Sequence, residues 1–482
     1  MAKQKKSEEG ITVKKEDNFG EWYQQLILKA DLADYSSVSG AIIFKPSSYI
    51  IWETLQKIID KEFKKIGIKN TYFPLFISEK SLSREKAHVK GFTPEVAWVT
   101  HAGNTKLNER LAIRPTSEAI MYDSYSKWIR SWRDLPLRLN QWNNVVRWEF
   151  KHPVPFLRTR EFLWNEGHHA YSNHDDLKED KEKIIEIYKN FLEDYMALPS
   201  FSGKKTDKEK FAGAIATYSL ELMLPNGKAI QGPDYHDDGQ NFAKAYDIKF
   251  VDKDKKEKYC YQSTYAISTR MLGIMFAVHS DNKGVVIPPK LAEKKIVVIP
   301  IIFDKTKKEV LKKTKEVNKT LSKLDSFVDD REDVSPGRKF NEWELRGIPL
   351  RIEIGPNDLR KKQVTIKTRL GKKQEVKFKD INKKVSELLD EMQEEIYKKA
   401  EKSLKNSITK SDSLNELISS IKNKKIVLAP MCKNSKCEGN IKEKTNGAKT
   451  LNIPKKQPKL SGKKCISCKK PASYWVYIGK SY

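Results

Sequence analysis

A chain of 482 residues is long enough for two to four domains with their own cores. At 38% hydrophobic and 10% aromatic it is not a globally disordered protein, and it has no run of about 18 apolar residues to span a membrane. A net charge of +28 favours a polyanionic partner, nucleic acid being the commonest, although lysines spread along the whole chain also fit a compositional bias. The charged start has no apolar stretch behind it, so no secretory signal and a cytoplasmic location are expected.

Residues 1–18 read as a polar tail. Trp52, Leu55, Ile59, Phe63 and Ile66 fall on one face of a helix that Gly67 ends. Residues 71–76 are predicted as a short strand, with Pro74 at a sheet edge where a second copy of the chain could dock. Arg114 to Glu118 fits a helix start, with Thr116 or Ser117 as its cap. The densest chemistry lies between Arg147 and His168. Residues 145–150 alternate as a strand does, which sets Arg147 and Glu149 on one face and Trp148 and Phe150 on the other. After a proline-bounded loop, Trp164, Glu166 and His168 share a face by the same rule. Arg147, Arg158 and Arg160 are permanent cations whose forked donors suit phosphate or carboxylate. A salt-bridged hairpin would alternate charge too. The whole block, with its aromatics, predicts a site for a nucleotide and a small zwitterion.

Further on, an amphipathic helix is predicted over 178–195, a strand over 259–265, and an apolar helix over 266–279 that carries Arg270. Strands at 296–302, 349–354 and 363–368, with a lysine-studded helix after the first, read as a compact α/β module. A connector helix follows from Ile381 to about Lys402. Of five cysteines, four fall in the last 51 residues. The pairs Cys432/Cys437 and Cys465/Cys468 have the count and closeness of a tetrahedral Zn2+ site; four separate thiols are the alternative.

Taken in order, these blocks make the chain from about Phe19 onward resemble the prolyl-tRNA synthetases of the archaeal and eukaryotic type, which are class II aminoacyl-tRNA synthetases. The helix and strand ending at Pro74 look like motif 1, and Arg114 to Glu118 resembles the proline-pocket Thr-x-Glu element. Arg147 to His168 looks like motif 2, and Ser268 to Arg270 like motif 3. The resemblance implies an α+β catalytic domain built on an antiparallel sheet over 19–292 and an α/β anticodon-binding domain over 293–380. A connector helix and small zinc-binding domain would fill 381–482. It implies activation of L-proline with ATP to prolyl-adenylate, then transfer to the 3′ end of tRNA(Pro), by a homodimer. Arg147 would serve the α-phosphate and the substrate carboxylate, and Arg270 with Arg158 the outer phosphates, which Mg2+ would bridge. Thr159, Gln231 and His236 would seat the nucleotide, and Glu149 would contact the adenine or the amino group. Glu118, beside Thr116, would meet proline's secondary ammonium, with Trp164, Glu166, His168 and Phe211 around the ring. Glu344 and Arg351 match positions that read anticodon guanines, through donors to O6/N7 and a carboxylate acceptor. A surface Glu/Arg pair would look the same in sequence.

The chain departs from the family pattern between Gly232 and Phe242. There the family usually reads small and hydroxyl residues, two histidines and a leucine before Gly-Gln-Asn-Phe; this chain has Asp234, Tyr235, His236, Asp237 and Asp238. Asp234 brings a negative charge near the expected nucleotide site, which would weaken ATP binding if left unpaired. It keeps open a catalytically silent relative that binds tRNA. A synthetase for another small amino acid is a third reading, which Trp164 and Phe211 oppose for serine and threonine. Only about 45 residues separate Glu166 from Phe211, too few for the editing domain that some bacterial members carry there. Tyr482 is expected to approach the active site.

Overall fold

The protein is described by a computed structural model covering residues 10–88, 95–149 and 152–482. Helix α1 (Phe19–Lys29) begins where the Asn18 side chain accepts from the Glu21 amide. Helix α2 (Pro46–Lys65) has proline in its first turn and is followed by Gly67 at φ +79°. Of its predicted stripe, Trp52, Leu55, Ile59 and Phe63 are fully buried and Ile66, just past the helix end, is half-buried, each fully buried side chain contributing roughly 2–3 kcal/mol of burial energy.

The strand predicted over 71–76 is split. Lys69–Asn70 (β1) joins the central sheet, whereas Phe76–Ser78 pairs with Thr105–Ile113 in a separate three-stranded sheet. Pro74 has no N–H to continue a ladder, and the Phe73 amide is taken by the Gln141 side chain at 3.0 Å. Residues 10–18, part of the predicted polar tail, touch the body through Lys15. The Lys15 ammonium donates to the Ser280 carbonyl at 2.8 Å and sits 4.7 Å from the Trp22 ring centroid; burial pushes its pKa down to about 8.

The central sheet holds β2 (Leu137–Val146), β3 (Glu161–Tyr171), β4 (Phe201–Lys204), β5 (Ala216–Met223), β6 (Ala229–Gly239) and β7 (Tyr261–Ser268). With Ile453–Pro454 it has eight strands, in the order Ile453–Pro454, β4, β5, β6, β7, β3, β2, β1, antiparallel except for β1. One face packs on α2, on α3 (His174–Asn190) and on the residues after it. Close packing on this face demands glycine at 167, because a Cβ there would come within 1.9 Å of the Tyr265 ring. The other face carries the site.

Two predicted boundaries move. β2 ends at Val146, paired with Glu161; the Arg147 amide then donates to the Arg160 carbonyl at 2.7 Å and the chain turns away. Arg147 and Glu149 therefore do not share a strand face, and Phe150 lies outside the described residues. Residues 266–268 belong to β7, so helix α4 (Arg270–His279) starts four residues later than predicted. Among the described residues, the segment between β3 and β7 holds α3, strands of the same sheet, a short helix (Asn241–Tyr246) and a small hairpin (Lys249–Val251 with Glu257–Tyr259), with no inserted domain.

The second module is a five-stranded sheet. Ile296–Pro300 lies parallel to Ser326–Val328 and Leu350–Ile354, with Gln363–Thr368 and Lys373–Lys377 added antiparallel. Helix α5 (Ile381–Ser407) buries Ile381, Val385, Leu388 and Leu389 in this module. Its next turns bury Met392 and Ile396 against Ala197 and Val286 of the catalytic part. The last module is built on Ile426–Met431 and Tyr474–Gly479. Its Ile453–Pro454 extends the catalytic sheet at Gly203, where a Cβ would meet the Ile453 carbonyl oxygen at 2.2 Å. Among the described residues, no helix is long and apolar enough to cross a membrane.

Candidate functional site

Three adjacent strands supply the floor of the site. Register sets Asn143 beside Trp164 beside Ser268, Gln141 beside Glu166 beside Ala266, and Leu139 beside His168 beside Thr264. β6 adds His236 opposite Thr264. Above this floor is a cavity of about 300 Å3. Of the residues predicted from sequence, Thr116, Glu118, Arg147, Trp164, Glu166, His168, Phe211, Gln231, His236 and Arg270 all line it. Glu149, Arg158 and Thr159 do not: Glu149 and Arg158 are exposed on the loop after β2, and Thr159 is buried behind it.

Arg147 is fixed before any ligand arrives. Its Nε donates to the Pro115 carbonyl at 3.1 Å, and its guanidinium lies 5.4 and 5.2 Å from the Phe162 and Trp164 ring centroids. Arg270, at the first turn of α4, donates through Nε to Leu157 and through Nη1 to Gln231, at 3.2 and 3.3 Å. Burial disfavours its charge, and so do Arg147 and Arg158; Asp234 and Glu221 act the other way. Cations held together against their mutual repulsion are an invitation to a polyanion.

The opposite wall is acidic. Helix α6 (Glu118–Trp128) starts with Glu118, buried and bonded by the Thr116 hydroxyl. Ser117 stands at the cap position, yet its side chain makes no cap bond and donates to Glu166 instead. Glu166 is the hub: it accepts from the Ser117 amide at 3.1 Å, Gln141 at 2.9 Å, Asn143 at 2.7 Å and His168 at 3.2 Å. Phe211 stacks on His236 at 4.6 Å, and His236 is held by the Thr217 hydroxyl at 2.9 Å. Burial lowers the His236 pKa, favouring a neutral ring. Asp234 is paired, accepting from Gln231 Nε2 at 2.7 Å and lying 3.5 Å from His236 Nε2. Both partners are neutral and leave its charge uncancelled; Arg270 is the cation whose charge it favours.

Phe162, Thr217, Thr264 and Ser268 also line the cavity. Alternation back from Trp164 would have found Phe162, and Thr264 lay within the strand predicted over 259–265; Ser268 was hidden by reading the end of β7 as helix. Tyr482 donates from its amide to Ala229 at 2.9 Å. Burial raises the pKa of its phenol, while Arg158 and Arg270 pull it down, so the ring stands at the cation side of the site.

Elsewhere, Glu344 and Arg351 line one crevice with Trp343, Lys367 and Arg369. Arg351 is bonded to Glu353 at 2.9 Å and lies 3.9 Å from the Phe340 ring centroid, while Glu344 reaches Lys283 at 3.4 Å. The thiols of Cys432, Cys437, Cys465 and Cys468 all lie within 4.8 Å of one another, with Cys432 Sγ 3.6 and 3.7 Å from those of Cys437 and Cys468. Four thiolates about 2.3 Å from a central Zn2+ would stand ~3.8 Å apart.

Comparison with known proteins agrees with this geometry. Residues 98–279 match the tRNA synthetase class II core domain (G, H, P, S and T), residues 295–388 the anticodon binding domain, and residues 414–482 the prolyl-tRNA synthetase C-terminal domain. The proline–tRNA ligase of Lachnoclostridium phytofermentans is 44% identical over 484 residues, covering 100% of both chains. The cytoplasmic proline–tRNA ligase of Arabidopsis thaliana is 43% identical over 483 residues, 98% of this chain and 91% of its own. The crystal structure of prolyl-tRNA synthetase from Cryptosporidium parvum, complexed with halofuginone and AMPPNP, superposes with a TM-score of 0.96 at 42% identity, over 98% of this chain and 100% of that one.

Fold and site together define a class II aminoacyl-tRNA synthetase. Within that class the chain belongs to the proline–tRNA ligase family. It is a ligase that activates proline with ATP and passes the prolyl group to tRNA.

Proposed function

We propose that the cavity divides this reaction between two walls, with Arg147 at the junction. Proline's secondary ammonium meets Glu118 beside Thr116, and its ring packs among Trp164, His168 and Phe211, with Glu166 behind them. Its carboxylate faces Arg147, which also receives the α-phosphate of ATP. Arg270 with Arg158 takes the outer phosphates, together with Mg2+ carried by ATP, and Gln231, His236, Thr159 and Glu149 attend the nucleotide. The observation that carries this division is Arg147 itself, pinned by Nε and two rings in one cavity with Glu118 and Arg270. Its Nη groups take no hydrogen-bond partner among the described residues. The step is attack of the proline carboxylate on the α-phosphate with pyrophosphate leaving, so positioning and charge neutralisation matter more than proton transfer. The test is ATP–pyrophosphate exchange with each amino acid in turn. Proline alone should support it; exchange driven by another amino acid instead would refute the assignment of the walls.

For the remaining parts we take 19–292, 293–380 and 381–482 as the domains, and Glu344 and Arg351 as the anticodon-reading pair. A cytoplasmic location accords with the cytoplasmic Arabidopsis relative. Zinc at the four cysteines is structural, since four thiolates leave no open position. The purified enzyme should hold one Zn2+ per chain, and Cys465→Ser should lose it and lower the melting temperature by several degrees. Metal-free wild type, or a fully loaded variant, would sink the site. A homodimer accords with exposed Tyr35, Ile43, Tyr72 and Phe76 near the motif 1 segment, Tyr72 being 69% exposed. Light scattering should give twice the chain mass, and Tyr72→Glu with Phe76→Glu should halve it.

A further inference from the structure

Behind the proline wall lies a polar group that the reaction, as described, does not use. Asp238 is fully buried near the end of β6. The ladder with β7 is irregular there: Asp237 pairs with Ser263 and Gly239 with Gln262, which leaves Asp238 as the extra residue of a bulge. Its neighbour Asp237 is engaged by His174 at 2.8 Å. Neither Asp238 oxygen takes a hydrogen-bond partner among the described residues, nor do the Gln262 amide or the Thr264 hydroxyl. Asp238 and Thr264 thus come close without a direct bond, the unpartnered Gln262 stands two residues before Thr264 on the same face of β7, and Thr264 lines the cavity between His168 and His236. Orphaned groups of this kind cost stability, so a position that keeps them calls for a use.

The surroundings decide the charge state. The charged groups acting on Asp238 are Glu118 from α6 and Asp237 from its own strand, both anionic; no lysine or arginine is among them. Thr264 is near enough to favour the charged form slightly without being in bonding geometry. Burial outweighs this and raises the pKa of the carboxyl well above the usual range, with Glu118 and then Asp237 adding to it. A neutral carboxyl group is a donor as well as an acceptor, which an anion is not.

We propose that Asp238 is a positioning residue of the proline pocket, an uncharged carboxyl that with Gln262 braces the Thr264 hydroxyl from behind and leaves Glu118 the anion that meets the substrate ammonium. The inference rests on the reading of this cavity as proline's. Its test is proline-dependent ATP–pyrophosphate exchange, with kcat and KM resolved, on wild type, Asp238→Leu and Asp238→Asn. Asp238→Leu should raise the proline KM about tenfold with kcat changed less than about twofold. Its melting temperature should hold or rise, because an unpaired buried polar group has been removed. Asp238→Asn, uncharged and still a donor, should keep KM within about twofold of wild type and the same pH dependence from about pH 6.5 to about 8.5. Unchanged proline KM in Asp238→Leu overturns the proposal, and so does an altered pH profile in Asp238→Asn, which would mean that the native group works as an anion. If Asp238→Leu melts lower and loses kcat and KM together, the role is structural and the proposal also falls. Wild type without any proline-dependent exchange is a different result, and would instead refute the reading of the cavity.

Discussion

Arg147→Ala is expected to lower proline-dependent ATP–pyrophosphate exchange by roughly 10²–10³ or more in kcat. The size follows from where the side chain stands. Both reactants are anionic at the atoms that must meet, and Arg147 is the cation between the Glu118 wall and the Arg270 wall. Its bond to Pro115 and its contacts with Phe162 and Trp164 fix the fork in advance, so little reorganisation is left for the reaction. Arg147→Lys separates charge from geometry: it keeps the cation and loses the fork, and should fall between wild type and alanine. Nearly full exchange in Arg147→Ala, within about tenfold of wild type, would remove Arg147 from the centre of the mechanism. The melting temperature checks that any loss is not unfolding.

Glu166→Ala is expected to cost about 3–5 kcal/mol of stability, because it leaves a buried ring of donors unmatched. The Ser117 amide, Gln141, Asn143 and His168 all point at this carboxylate. Burial, the largest influence, would raise its pKa, yet the bonds from His168, Ser117 and Asn143 hold it below its ordinary 4.5. For His168, burial works to lower the pKa, but the bond to Glu166 and the charge of Glu118 raise it above its ordinary 6.5. The signs are opposite. The Glu166 contribution is complete above pH 4.5 and is lost as pH falls through its depressed value. The His168 contribution is complete below pH 6.5 and is lost as pH rises through its raised value. Denaturant unfolding should therefore give a plateau between those two pH values, with decline on both sides. In Glu166→Gln the alkaline decline should flatten, since His168 loses the partner that raised it. A variant profile that matches wild type would show that the pair is not coupled as described.

Much of the site was legible because strand alternation is local. Trp164, Glu166 and His168 needed only the period of two, and α2 only its stripe and the glycine after it. The reading failed where a boundary depended on a partner elsewhere. β2 stops at Val146 because the Arg147 amide turns to Arg160, and the 71–76 strand breaks because Pro74 lacks a donor while Gln141 takes the Phe73 amide. Asp234 looked like a stray charge until Gln231 and His236 were found beside it.

By itself the sequence determined the residue types of the site, the three-part order of the chain and the cysteine pairs, because spacing, charge and composition are properties of the chain alone. Only the tertiary structure decided what each group meets. Glu166 became a hub as well as a lining residue, the Ser117 side chain serves that hub instead of capping its helix, and Arg158 remained exposed. Tyr482 came to rest beside strand β6, on the Arg270 side. The physical reason is that alternation tells which face a side chain takes, whereas register, burial and the remaining donors tell with whom it shares that face, and these are set by strands far apart in sequence.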